Sequence, residues 1–328
     1  MSFRTVTAAA LTVVLWASAF VAIRVALPDI GAPALSGSRL VLAVVALLVA
    51  APVLRIGLPP RQSLVRVVGC GAAGMSAYQL LLNSGELTVQ AGTAALLMGT
   101  APLFAAALAR PVLGERVTAR SGLGMAIGFS GATVIALGSG DGLRLDRGAL
   151  LVLAAALAQA TFFVLQKQLL ARHTAAEVTC WSMVAGALLL LPLAPATVQS
   201  WRGLAHPAGA LAAVGYLALG ASALGFLAWA YAQARLSVAA AAGTLYAVPA
   251  VALGVGLLVL GEVPGPVTVL GGGIALIGVA VARGPQPSSR RTSVTGAIAR
   301  YASSTISATS TQSTSTSSRT PTQPLPPT

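Results

Sequence analysis

Around Pro102 the chain reads Ala-Pro102-Leu-Phe104 and closes that stretch at Leu-Gly114-Glu115. Around Pro249 it reads Val-Pro249-Ala-Val251 and closes at Leu-Gly261-Glu262, with the same spacing from proline to Gly-Glu. About one helix beyond each block, Gly124 and Gly131 match Gly271 and Gly278. Such an echo marks a tandem duplication, so whatever the first half forms, the second half must form again.

The duplicated material is apolar. Hydrophobic residues make up 56% of the chain and charged residues 8%, against about 25% charged in ordinary soluble domains. The mean hydropathy is +0.85. Roughly ten runs of about 17–23 apolar residues can be read, each long enough at 1.5 Å per residue to cross a ~30 Å hydrocarbon core. They lie at about 5–27, 34–54, 65–82, 91–109, 117–137, 149–170, 178–193, 208–230, 238–260 and 263–282. The seventh is short and the tenth is weakened by Pro264 and Pro266, which leaves nine as the other count.

The net charge of +13 is spread singly between these runs, which speaks against a nucleic-acid partner. With the N-terminus cytoplasmic, the inner loops hold Arg55, Arg61, Arg66, Arg110, Arg116, Arg120, Lys167, Arg172 and Arg235, and Arg283, Arg290 and Arg291 follow the last run. The outer side keeps only Arg24, Arg39, Arg144, Arg147 and Arg202. The positive-inside rule then puts both termini in the cytoplasm. The start of the chain, with Ala17-Ser18-Ala19, has some look of a signal peptide, but its apolar run continues to Leu27 as a first span would.

Extended backwards, the repeat aligns Phe20-Val-Ala-Ile-Arg24 with Phe163-Val-Leu-Gln-Lys167. The first run thus pairs with the sixth, the fourth with the ninth and the fifth with the tenth. Five spans per half is an odd number, so the second half enters the membrane upside down and Glu115 lies inside where Glu262 lies outside. The expected fold class is all-α: a polytopic membrane protein of about ten transmembrane helices in two inverted five-helix repeats. The repeats occupy 1–139 and 140–283. Exchanging the conformations of two such halves exchanges which side is open.

These residues carry a resemblance. Trp16-Ala-Ser-Ala-Phe20-Val-Ala-Ile-Arg24, Arg39 in Ser-Gly-Ser-Arg39-Leu, and the two Pro…Leu-Gly-Glu blocks ending at Glu115 and Glu262 resemble the first-, second-, fourth- and ninth-helix patterns of one family. It is the ten-helix metabolite exporters with paired EamA domains, in the drug/metabolite transporter superfamily. The resemblance covers about residues 5–283. It implies a carrier whose central cavity is lined mainly by helices one, three, four, six, eight and nine.

Pro102 and Pro249 sit inside runs four and nine, where each removes a backbone hydrogen bond and kinks its helix. Kinks in membrane helices are tolerated against protein or a wet cavity, so these helices are expected to line the path. Gly124, Gly128, Gly271, Gly273 and Gly278 are assigned to close helix packing. Polar and aromatic side chains at mid-membrane depth normally face a bundle interior. On the helices that the resemblance makes cavity-lining, the expected substrate-binding residues are Trp16, Tyr78, Asn83, Gln159, Phe163, Trp229 and Tyr246. Two symmetry-related opposite-charge pairs, Arg24 with Glu262 outside and Lys167 with Glu115 inside, are expected gates; snorkelling to the interface is the other reading of those charges.

No carboxylate lies near the centre of any run, so the sequence gives no support for proton coupling. Cys70 and Cys180 fall in apolar stretches as small buried hydrophobes and suggest neither disulfide nor metal site. His173 and His206 lie in loops, and no phosphate loop, H-E-x-x-H or G-x-S-x-G is present. The expected function is a secondary transporter, not an enzyme, exporting small metabolites such as amino acids or drug-like compounds by alternating access. It would need no cofactor, and its partners would be a small-molecule substrate and the bilayer, as a monomer or homodimer. A packing-only membrane scaffold or sensor, and a lipid-acting enzyme using Glu115 with His173, are the rival classes. From residue 284 to 328 the composition turns to Ser, Thr and Pro, expected to be a disordered cytoplasmic tail.

Overall fold

The structure, a computed structural model, describes residues 2–59, 61–113, 119–138, 146–204, 208–236, 244–245 and 247–282. Among them every regular element is a helix. Five are long and apolar enough to cross a membrane, or six if the pair Ala175–Leu189 and Leu191–Arg202, bent by 48°, is one span. The protein is an all-helical, multi-pass membrane protein. Lipid-facing side chains are correspondingly apolar: Leu258 is 86% exposed and Val53 85%, a surface that water would not tolerate over so wide an area.

The first helix runs Phe3–Val49, and Ser2 caps it by accepting from the Thr5 amide. Its 47 residues would extend about 70 Å if straight, more than twice the hydrocarbon thickness. It is not regular throughout. Gly31 adopts φ 72°, ψ 165°, between Pro28 and Pro33. A residue with a Cβ would be strained there, and each proline withholds an amide from the ladder. The two runs expected at 5–27 and 34–54 are the two arms flanking this break.

The next apolar stretch, Arg61–Gly85, contains a π-helical segment at Gly71–Ala77. Another π segment, Leu217–Leu224, interrupts Ala208–Arg235. The two carry similar residues, Gly74-Met-Ser76-Ala77 and Gly220-Ala-Ser222-Ala223. Wide π turns accommodate bulky neighbours and recur at functional sites. Here Gly74 lies so close to the Phe162 ring that no Cβ fits between them.

Ala91–Met98 is followed by a turn at Gly99-Thr100 and then by Ala101–Leu113. Asp146 caps Arg147–Leu170 by accepting from the Gly148 and Ala149 amides, at 3.3 and 3.0 Å. Thr174 and Glu177 form a capping box at the start of Ala175–Leu189. Ala119–Gly138 and Pro266–Ala282 lie backbone to backbone: a Cβ on Gly278 would sit 2.7 Å from the Gly124 carbonyl, and one on Gly271 would sit 2.8 Å from that of Gly131. Small residues here allow the close approach on which helix association in lipid depends. The expected packing role holds for Gly128, Gly271 and Gly278; Gly273, exposed and with nothing within 4 Å of its Cβ position, takes no part.

Candidate functional site

A cavity opens between the proline-bearing helices. Trp16, Phe20, Tyr78, Ala95, Met98, Gly99, Pro102, Gln159, Leu245, Val248 and Pro249 line it. The free space amounts to about 40 Å³, room for a few water molecules, so a metabolite-sized substrate requires the walls to move apart. Both prolines face it. Neither has an amide for the carbonyl four residues back, which belongs to Met98 in one case and Leu245 in the other, and both of those residues also line the cavity. The wall is mostly apolar, with few polar atoms: the Tyr78 hydroxyl, the Gln159 amide and the Trp16 indole.

Each polar group has a distinct state. The Trp16 indole Nε1–H donates to the main-chain carbonyl of Ala221, 3.2 Å away. Ala221 lies within the second π segment. Behind Trp16 stands an aromatic cluster: Phe163 parallel to it at 6.3 Å, Phe226 at 5.0 Å and Trp229 at 5.5 Å between centroids. Such contacts fix the plane of the Trp16 ring. Gln159 is buried, and among the described residues its side-chain oxygen has no hydrogen-bond partner.

The structure brings together Trp16, Tyr78, Gln159, Pro102 and Pro249. It sets the other expected binding residues elsewhere. Phe163 and Trp229 form the wall behind Trp16, their rings 4.8 Å apart, with Trp229 only 1% exposed. Asn83 is fully buried and donates to Ser36 Oγ at 2.8 Å, tying two helices together. Tyr246 and Glu115 lie outside the described residues. Phe20 and Leu245 line the cavity without having been expected to; their apolar side chains carry no signal that separates them from packing residues.

The charged groups divide likewise. Arg24 Nε lies 3.3 Å from Glu262 Oε1, and Arg24 Nη1 donates to the Glu86 carbonyl at 2.7 Å. Glu262 accepts in addition from the Ala91 amide, 2.9 Å, at the first turn of Ala91–Met98. It is aimed there by Gly261 in the left-handed region, φ 65°. One carboxylate therefore joins three chain segments. Lys167 Nζ donates to the carbonyls of Gln233 and Leu236, 2.9 and 3.3 Å away. Arg39, 2% exposed, donates Nε–H to Ser222 Oγ of the second π segment at 2.6 Å. His173 bonds Ser63 at 2.9 Å, and no cluster of three metal-ligating side chains occurs among the described residues.

Comparison with known proteins follows this geometry. The model of the EamA-like transporter family matches the chain twice, over residues 3–137 and 146–284. A protein of Streptantibioticus cattleyicolor named "Probable terminal-alkyne amino-acid exporter" is 49% identical over 84% of this chain and 92% of its own. "Uncharacterized transporter YdfC" of Bacillus subtilis is 32% identical over 81% of this chain and 86% of its own. A solved protein crystal structure superposes with a TM-score of 0.63 at 20% identity, covering 86% of this chain and 98% of the other, a likeness of fold alone.

Proposed function

The chain belongs to the EamA-like transporter family, and from that premise we propose that it exports small amino-acid-like metabolites by alternating access of two inverted five-helix repeats. The repeats are 1–139 and 140–283, followed by the tail 284–328. The observation that carries the reading is the cavity at which the equivalent prolines of both halves, Pro102 and Pro249, meet Trp16, Tyr78 and Gln159.

Ten spans follow if the arms of Phe3–Val49 on either side of Gly31 count separately and the bent pair Ala175–Leu189 and Leu191–Arg202 counts once. The shorter helices Ala101–Leu113 (as the continuation of the fourth span), Ala119–Gly138, Ala247–Leu260 and Pro266–Ala282 complete the set. The double family match and the paired π segments, one in span three and one in span eight, support the duplication. Both termini are cytoplasmic in this reading, which places Arg24 and Glu262 at the extracellular mouth, where they form its gate. Lys167 and Glu115 are the corresponding intracellular gate.

The amino-acid class rests on the name of the 49% identical relative and on the chemistry of the wall. The Gln159 amide suits a polar group of the substrate once the wall opens, and Phe20, Met98, Leu245 and Val248 suit an apolar side chain. The test is counterflow. Proteoliposomes holding the purified full-length protein and preloaded with an unlabelled neutral amino acid should transiently accumulate the labelled compound, and Trp16→Ala should abolish this. Absence of accumulation across the standard amino acids, while a known carrier in parallel vesicles accumulates its own, overturns the substrate class.

A further inference from the structure

The carboxyl group of Glu86 has no assigned role and an unusual place. Glu86 follows directly on the span Arg61–Gly85 and is 0% exposed. Among the described residues neither of its side-chain oxygens has a hydrogen-bond partner, although its main-chain carbonyl accepts from Arg24. Ionised, an acceptor-only carboxylate buried without donors is among the most costly groups a protein can hold; neutral, it is far cheaper. The sequence hides it, because Gly85-Glu86-Leu-Thr reads as the start of a loop.

Among the described residues the charges around it are few and specific. From the first helix come Arg24 and Arg39, and from the turn after Ala247–Leu260 comes Glu262. On its own helix stands Tyr78. Helix Arg147–Leu170 packs its Gly148 against Gly85 and Thr88, with Asp146 and Arg147 beside that contact and the Asp146 carboxylate engaged by its own helix. From Ala91–Met98 comes only the Ala91 amide, which is taken by Glu262.

We propose that Glu86 is a proton-binding site linked to the extracellular mouth, protonated while the Arg24–Glu262 gate is closed and ionised when it opens. The inference rests on reading that end of the protein as the outer mouth of a transporter. Opening parts Arg24 from Glu262 and admits water to Glu86; the carboxyl O–H bond breaks, its proton passes to external water, and the new carboxylate competes with Glu262 for Arg24. Closing reverses each step, taking one proton from the outer solution onto Glu86. An acidic exterior therefore favours the closed mouth and an alkaline exterior the open one.

The experiment uses intact cells expressing the full-length chain with the two buried cysteines replaced (Cys70→Ala, Cys180→Ala) and one reporter, Ala95→Cys, at a fully buried position on the cavity wall. An impermeant maleimide is applied outside across about pH 5 to 9, a range that brackets buried carboxyl groups. Each rate is divided by that of the same cysteine in Glu86→Gln, which cancels the intrinsic pH dependence of thiol reactivity. The ratio should stay near one in acid and rise with pH, by up to about tenfold per unit through the transition. A constant ratio overturns the proposal. If Glu86→Gln does not reach normal abundance, the infrared C=O band of a protonated carboxylic acid decides on wild type. Persistence of that band in Glu262→Gln, with its loss on alkalinisation moved to lower pH, supports the site, and its absence at every pH overturns it. Neither readout needs a transported substrate, so failure of the amino-acid assignment leaves this result standing, and the reverse also holds.

Discussion

Trp16 in the first helix donates its indole N–H to the main-chain carbonyl of Ala221, 3.2 Å away in a π-helical segment of another span. The bond ties a ring of the cavity wall to the backbone of the π segment. Gly225 completes the seat, because a Cβ there would lie 2.9 Å from Trp16 Nε1.

Trp16→Phe should therefore keep the ring contacts but lose the anchor. Loss of one neutral hydrogen bond corresponds to about 0.5–1.5 kcal/mol, so abundance should be close to wild type while the counterflow rate falls or substrate preference shifts. Gly225→Val should displace the indole and mimic the functional defect of Trp16→Ala. Side-by-side measurement of membrane abundance and counterflow separates recognition from folding. Equal losses of both in Trp16→Phe would make Trp16 a packing residue.

Trp229 is expected to behave otherwise. It is 1% exposed and stands behind Trp16, so Trp229→Ala leaves a large void, of the kind that costs about 3–5 kcal/mol in well-packed cores. Thermal unfolding in detergent should show a clear loss of stability, with transport falling in proportion to folded protein. A stable Trp229→Ala with altered substrate preference contradicts this.

The glycine seam predicts a contrast within one helix. Gly278→Leu should block the approach of Pro266–Ala282 to Ala119–Gly138 and sharply lower abundance, whereas Gly273→Leu should be tolerated because its Cβ position is open. Expression of the two variants from the same vector checks it. Indifference to Gly278→Leu would mean that the two helices do not pack along this line.

At the outer mouth, the Arg24–Glu262 pair is partly exposed, with side-chain accessibilities of 31% and 14%. Exposed pairs contribute only about 0–1 kcal/mol, so Arg24→Gln should raise labelling of Ala95→Cys modestly. Glu262→Gln should raise it more, since the Ala91 amide also loses a charged acceptor. The exchange Arg24→Glu/Glu262→Arg restores the attraction but not the Ala91 bond, and should recover wild-type accessibility only in part. Full recovery would show that Ala91 plays no part in closure.

Topology follows from the arginine distribution. Reporter fusions after Gly140 should be extracellular and fusions after Arg283 cytoplasmic. The opposite pattern would falsify the inverted arrangement and move Arg24, Glu86 and Glu262 to the inner face.

Much of the protein is decided locally, and those features were legible in the sequence. Apolar runs of membrane length dictate helices because lipid offers no partner to an unpaired backbone group. Pro102 and Pro249 advertise their kinks by a missing amide, and Gly128, Gly271 and Gly278 advertise a seam by having no side chain. Arg24 and Glu262 could be matched across the repeat as residue types. Tertiary structure decided what depends on direction and depth. Trp16, Tyr78 and Gln159 face one cavity, while Asn83 and Trp229, equally polar or aromatic at similar depth, point into packing, because periodicity gives a helix face but not its neighbour. Both π segments arise from packing that no short window encodes, whereas the break at Gly31 is marked locally by Pro28 and Pro33. Glu86 shows the limit most clearly: one residue past an apolar span it reads as solvated loop, and only the fold around it removes the water.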